Sequence, residues 1–424
     1  MTNTAAGREQ PAGSPPRADF ISYLLSSSLW TAGLTLQTFL FTALLVVVLN
    51  RPAEQTGIAR MLADLPPLLV LLLGGWLGDR TDQRRTLLWM HGLVALPPLA
   101  ILAVWRLDAL SYVWVITFGT VMMSLQALSD PTRQAVLSRV AAIDIQRAVT
   151  LLTVTTSLIG LAGLLVGSQL ERWGLGTVLI IQSALFATGA LAVLRLPPMP
   201  PTAAAPTPQQ GARRLALFVD GFRACWQSAM IRNLISLNFL SSLFNAGAYI
   251  IAVPYIITDI YGGTAQTLAT AMLVFTIGSI ISNIILFRVM PLLRPGRLFL
   301  LMQLTRVAIL GALLTQPSLP LFYALLVAWG LNMGVTTTMV RTTVQELAPA
   351  QSRTQILSVL LLSFMVSSPI SAILLGFLIA GADPLLALAP AVAISFVIFL
   401  LGTSRTGLWR YEAHSAKASA NDLQ

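Results

Sequence analysis

Few side chains in this 424-residue sequence can carry or exchange a charge, so those that fall inside apolar runs stand out. Asp64 is the acidic residue set well inside such a run, about 22 Å of helix ahead of Asp79 at 1.5 Å per residue. Desolvation at that depth would favour the neutral carboxyl and suit proton exchange near neutral pH. The competing arrangement is an ion pair with Arg60, four residues earlier on the same helical face, which would keep Asp64 charged. Arg306 lies about 13 Å into another run and is expected to snorkel, its stem in lipid and its head at the interface. His91 has no acid within a helical turn, so packing is favoured over a proton relay. Six further polar residues, Gln37, Gln126, Asn238, Asn245, Tyr249 and Asn332, fall within apolar runs. At such depth they must bond to neighbouring helices or face water or a solute. Trp30, Phe39, Phe41, Phe244 and Trp329 offer either packing or a stacking surface to an apolar ligand.

The usual hydrolytic constellations are missing. The sequence contains no H-E-x-x-H, no paired embedded carboxylates and no G-x-S-x-G beside a plausible base. Cys225 is the only cysteine, which excludes an internal disulfide and a cysteine-based metal cluster. An enzyme is therefore not expected, and neither a cofactor nor a metal is implied.

Such deep polar groups need a scaffold that holds them in hydrocarbon. The apolar fraction is 56 % and the charged fraction 10 %, against about 45–50 % and about 25 % in soluble domains. Apolar runs of about 20 residues, the length that crosses a hydrocarbon core, follow one another from Phe20 to Leu401. Runs this long without alternation are helices. The expected fold is an all-α polytopic membrane protein with twelve spans. They fall near 20–49, 56–78, 86–105, 111–131, 145–168, 174–195, 233–257, 264–287, 298–316, 319–340, 355–380 and 384–402.

The net charge of +10 is spread between the spans rather than gathered in one patch, so it implies no nucleic-acid partner. With the N-terminus inside, twenty-one Lys and Arg fall in cytoplasmic segments and four, Arg51, Arg60, Arg106 and Arg172, in outer loops. That imbalance places both termini in the cytoplasm. The segment before Phe20 lacks a cleavable apolar region and reads as a disordered tail. The stretch from Pro197 to Arg214 is too rich in proline for a helix and too polar for burial. It separates a six-span bundle over 20–195 from a second over 233–402, with 1–19 and 403–424 as cytoplasmic tails and 196–232 as a cytoplasmic linker. Within the linker, Leu215 to Ser228 looks amphipathic, with Phe218, Phe222, Cys225 and Trp226 opposite Asp220, Arg223 and Gln227. It is expected to lie on the inner membrane surface.

Sliding the halves by 208 positions puts Arg80 on Arg288, Arg133 on Arg341 and Gln37 on Asn245. Two parallel repeats of this kind would place a substrate site at their interface near the bilayer midplane.

The second span closes as Gly75-Trp-Leu-Gly-Asp79-Arg80-Thr-Asp82-Gln83-Arg84-Arg85. This resembles the G-x-L-a-D-r-x-G-r-r signature loop of the major facilitator superfamily. Asp130-Pro-Thr-Arg133-Gln-Ala and Thr343-Val-Gln-Glu-Leu-Ala-Pro-Ala-Gln-Ser-Arg353 resemble its macrolide-efflux and enterobactin-export branch. The resemblance implies rocker-switch alternating access by a monomer in the bacterial cytoplasmic membrane. It further implies export of a drug-like or siderophore-like small molecule, with protons as coupling ion. It makes Gly75, Asp79, Arg80, Arg84, Arg133, Arg341 and Arg353 a gating charge cluster on the inner face. By the same resemblance, the first, fourth, seventh and tenth spans line the cavity, so their six polar residues become substrate candidates. The chain departs from the pattern in three places. Asp82 replaces a glycine, span one lacks the acid many relatives carry, and Gly160-Leu161-Ala-Gly163 stands where antiporters often show Gly-Pro. Import, lipid translocation and a non-transporting receptor on the same fold remain the alternatives.

Overall fold

The computed structural model describes residues 17–200, 220–349 and 352–413, apart from the side chains of residues 17, 69, 71–80, 145 and 146. Twelve long helices account for most of these residues, and no strand occurs among them. The first six are α1 (Arg17–Ala43, prolonged by a π-helical turn over Leu44–Val48), α2 (Ala53–Arg80), α3 (Gln83–Arg106), α4 (Tyr112–Val140), α5 (Ile145–Gly167) and α6 (Leu170–Val193). A short helix over 220–227 leads to α7 (Ala229–Ile260, with π-helical stretches), α8 (Ala265–Val289) and α9 (Pro295–Leu314). The last three are α10 (Leu319–Leu347), α11 (Arg353–Ala380) and α12 (Leu386–Arg405).

Eleven of them, all but α2, are long and apolar enough over their described residues to cross a membrane. The apolar runs locate every helix, but two end later than the runs do. α4 continues past 131 to Val140, and α10 past 340 to Leu347. A run of apolar residues marks where the hydrocarbon ends, whereas a helix ends where its backbone hydrogen bonds end.

Helices α1–α6 form one bundle and α7–α12 the other, with α2 against α11 and α5 against α8 across the seam. An even number of spans brings the chain ends and the 196–232 connection to one face, here the linker face; the opposite one is the far face. The linker itself lies mostly outside the described residues. Its first residues are pinned to the α2–α3 turn: Asp82 caps α3 by accepting from the Arg85 N–H at 2.9 Å and also accepts from the Met199 N–H at 2.8 Å. Asp82 thus ties the start of the linker to the first bundle. At the same face of the second bundle, Arg294 pairs with Glu412 at 2.8 Å and the Ala413 N–H donates to the Leu293 carbonyl at 2.8 Å. The 220–227 helix splits its apolar residues. Cys225 enters the second bundle's core, while Phe222 and Trp226 stack on each other in the open, 5.7 Å apart. Desolvation lifts the Cys225 thiol to about 11, so it stays protonated.

The apolar core is not one mass. Towards the far face a single cluster runs through both bundles, from Leu36 and Phe39 to Ile256, Leu326, Trp329 and Leu375. Among the described residues, it divides towards the linker face. One core, around Tyr23, Leu87 and Val136, belongs to the first bundle. Another, around Leu234, Phe299, Met339 and Leu360, belongs to the second.

Candidate functional site

The seam is tightest at the far face. Gly57 of α2 lies against α11 so closely that a Cβ there would overlap the Ala372 carbonyl, and Gly376 is equally confined by Ala53. Tyr255 of α7 donates to the Arg51 carbonyl at 2.6 Å and accepts from Thr56 at 2.6 Å. The Gln266 N–H at the start of α8 donates to Glu171 of α6 at 3.3 Å. At the linker face, α5 and α8 flank a cleft of about 680 Å³ lined by Asp144, Arg147, Thr150, Leu151, Val154 and Phe287. Among the described residues the seam is closed at the far face and parted between α5 and α8 at the linker face.

Asp64 lies on this seam about 16 Å from the start of α2. Arg60 Nε reaches its Oδ2 at 3.0 Å, and Ser368 of α11 donates to the same oxygen at 3.0 Å. Both members of the ion pair are largely buried. The carboxylate therefore holds a cation of its own helix and a hydroxyl of the other bundle at once.

Within the first bundle, Gln182 Nε2 donates to Gln37 Oε1 at 2.8 Å, so Gln37 turns towards α6. His91 is wholly buried between the Ser26 hydroxyl, 3.1 Å from Nε2, and the Leu87 carbonyl, 2.9 Å from Nδ1. A carbonyl can only accept, so Nδ1 carries the proton and Nε2 accepts from Ser26. Arg133 is buried with its guanidinium 4.6 Å from the centre of the Trp30 ring, and one of its terminal nitrogens has no partner.

The second bundle contains a cation at mid-depth. Arg306, expected to snorkel, is instead 1 % exposed. Its Nε donates to Asn332 Oδ1 at 2.9 Å, one terminal nitrogen to Ser241 at 2.6 Å and Gln303 at 3.2 Å, and the other to Thr336 at 3.1 Å. The correction has a plain cause: α7 and α10 bring enough neutral acceptors to α9 to replace the water that snorkelling would have supplied. Beyond this cradle, Tyr249 stacks on Phe275 with centroids 3.9 Å apart, and Trp329 meets both edge-on.

No protein-family model matches this chain. No curated protein matches it in sequence. Solved structures do match it in shape. A point mutant of the nucleoside transporter NupG superposes with a TM-score of 0.74 over 91 % of this chain and 99 % of its own, at 13 % identity. A POT family transporter in complex with 5-aminolevulinic acid gives 0.73 over 93 % and 97 %, at 12 % identity. A bacterial homologue of the human lysosomal transporter Spinster, in an inward-facing and occupied conformation, gives 0.65 over 94 % and 97 %, at 13 % identity. This chain has the major facilitator fold.

Within the major facilitator fold, the residues singled out by sequence are only partly assembled. Asn332, Asn245 and Tyr249 fall in or beside the Arg306 cradle, Asn245 through its bond to the Ser241 carbonyl at 2.8 Å. Asn238 is buried on the same helix with an unpartnered Nδ2, Gln126 is half-buried on α4, and Gln37 is engaged inside the other bundle. Of the gating cluster, Arg84 donates to the Leu194 carbonyl at 2.6 Å and Arg133 turns inward to Trp30, while Arg341 and Arg353 are exposed. The side chains of Gly75, Asp79 and Arg80 lie outside the described residues. Ser241, Gln303 and Thr336 had not been singled out. The Gln303/Arg306 spacing of three on one helix face was a signal for Gln303 and for some polar neighbour, but it does not name Ser241 or Thr336.

Proposed function

We propose that this protein is a secondary active transporter that exports a small organic molecule across the bacterial cytoplasmic membrane by alternating access. The observation that carries the reading is the divided core. One apolar cluster seals the bundles together at the far face, whereas each bundle keeps its own core at the linker face, with a cleft between. Two rigid bodies joined at one end form a bistable element, and rocking them about the midplane exchanges which end is joined. With the arginine-rich face in the cytoplasm, this is the conformation that admits a solute from inside. Asp79, Arg80, Arg84, Arg133, Arg341 and Arg353 are the proposed gate of the linker face, and export rests on the resemblance of the three motifs.

The Arg60 pair that the sequence set against proton exchange is formed, and Asp64 is proposed as the coupling residue through what a proton would do to that pair. One oxygen of its carboxylate holds both Arg60 and, through Ser368, the opposite bundle. Proton uptake would cancel the charge that attracts both and loosen the far seam. Reconstituted protein tests both claims. Uphill accumulation driven by a pH gradient and downhill flux are compared for the wild type and Asp64→Asn. Coupling requires loss of pH-driven accumulation with downhill flux retained. Absence of any flux by the wild type across a panel of drug-like compounds and siderophores would count against a transporter. For the gate, Asp79→Asn should lower flux without lowering expression.

A further inference from the structure

We infer that the Arg306 cradle and the aromatic triad beside it bind an organic anion that carries an aromatic ring, an aromatic carboxylate being the simplest member of the class. The inference rests on the transporter reading and gives its substrate a charge and a shape.

The charge comes first. Arg306 lies about 16 Å from the linker end of α9, 1 % exposed, and an arginine does not give up its proton at any physiological pH. Its hydrogen-bond partners are Ser241, Gln303, Asn332, Thr336 and the Met333 sulfur, all uncharged. No carboxylate bonds to it among the described residues. Neutral dipoles solvate a buried cation but leave its net charge in place, and a buried charge without a counter-ion is costly. The cradle is therefore short of one negative charge.

The surrounding donors point the same way. Gln303 is wholly buried, and its Oε1 is drawn to Arg306 and Ser241. That orientation leaves Gln303 Nε2 buried without an acceptor. Asn238 Nδ2, one turn from Ser241 on α7, and Trp329 Nε1, one turn from Asn332 on α10, are likewise buried and unpartnered. Three idle N–H groups, one on Gln303 and two within a turn of residues that hold the guanidinium, are complementary to carboxylate oxygens. Hydrogen bonds from such donors to an ionised acceptor are about twice as strong as those between neutral groups.

The ring follows from the neighbouring turn. Tyr249 is four residues beyond Asn245 on α7, and Trp329 three before Asn332 on α10, so both helices present aromatic faces immediately on the far side of the cradle. Tyr249 and Phe275 are only half-buried, which leaves aromatic surface for a third ring to stack against. A cationic ligand would be repelled by Arg306, and a neutral one would leave its charge unanswered.

Thermal stability of the purified full-length protein in detergent distinguishes these cases with three isosteric probes: 2-naphthoate, 2-naphthamide and 2-naphthylmethylammonium. We expect 2-naphthoate to stabilise the wild type and to bind at least tenfold more tightly than the other two. Arg306→Gln should abolish the stabilisation and Arg306→Lys should retain part of it. Trp329→Phe, which keeps a ring but removes the N–H, should weaken it several-fold. Equal stabilisation by the amide or the ammonium, none by any probe, or an undiminished naphthoate effect in Arg306→Gln would overturn the inference. The three-probe comparison on the wild type needs no variant to fold. Binding is read here without flux, so a failure leaves the alternating-access test standing, and a failure of flux leaves this one.

Discussion

The two ends of the seam are built from different materials. At the far face α2 and α11 touch through Gly57, Ala372 and Gly376, with Tyr255, Asp64 and Glu171 making polar bonds between the bundles. At the linker face, bonds such as Asp82 to Met199 and Arg294 to Glu412 stay within one bundle and fasten the chain leaving its sixth helix. The far end thus stores the energy of the joined state, and the linker end keeps each bundle rigid while they separate. A contact's effect on the conformational equilibrium should depend on which of these it belongs to, not on its own strength.

The largest effect is expected for Gly57→Leu, because a side chain there meets backbone that cannot rotate away. Overpacking of this kind costs about 1–3 kcal/mol, and it falls on the far-joined state alone, so the population should move roughly five- to 150-fold towards the opposite one. Spin labels at Leu151→Cys and Phe287→Cys, on the two walls of the cleft, would report a shorter distance, and transport should be nearly lost. An unchanged distance distribution would break the assignment of the seam. Tyr255→Phe should act in the same direction more weakly. It removes one bond to Arg51 and one from Thr56, together worth about 1 kcal/mol in a membrane protein, or roughly a fivefold shift by the same labels. Ser368→Ala loses a single bond to Asp64, and at about 0.6 kcal/mol the shift should be roughly threefold. The smallest effect should come from Glu412→Gln. It breaks a short ion pair, but a partly exposed one worth well under about 1 kcal/mol, and one inside a single bundle. Its expected signature is an unaltered label distance, and a shift as large as that of Tyr255→Phe would erase the distinction between the two ends.

Arg306 illustrates a different dependence on context. Its position along α9 was readable from the spacing, but its direction was not. Snorkelling and burial use the same stem and differ only in what waits at its end. Ser241 comes from α7 and Asn332 with Thr336 from α10, sixty-five, twenty-six and thirty residues away in the chain. No local pattern could announce that these three would meet one guanidinium. Asp64 is the milder case. Arg60 stands one turn away and was a foreseeable partner, whereas Ser368 is 304 residues distant and brings the carboxylate onto the seam.

What the sequence determined by itself is the set of twelve helices and their division into two sixes. It does so because hydrocarbon leaves the backbone no alternative to helix over runs of that length, and a proline-rich polar stretch cannot join them. Only the tertiary structure decided that the bundles are joined at one end and parted at the other, that Gln37 turns towards α6, and that an arginine expected at the interface is held at mid-depth. Each of these depends on which helix faces which, and in an almost uniformly apolar chain that is settled by close packing and by the few polar groups the packing brings together, not by periodicity.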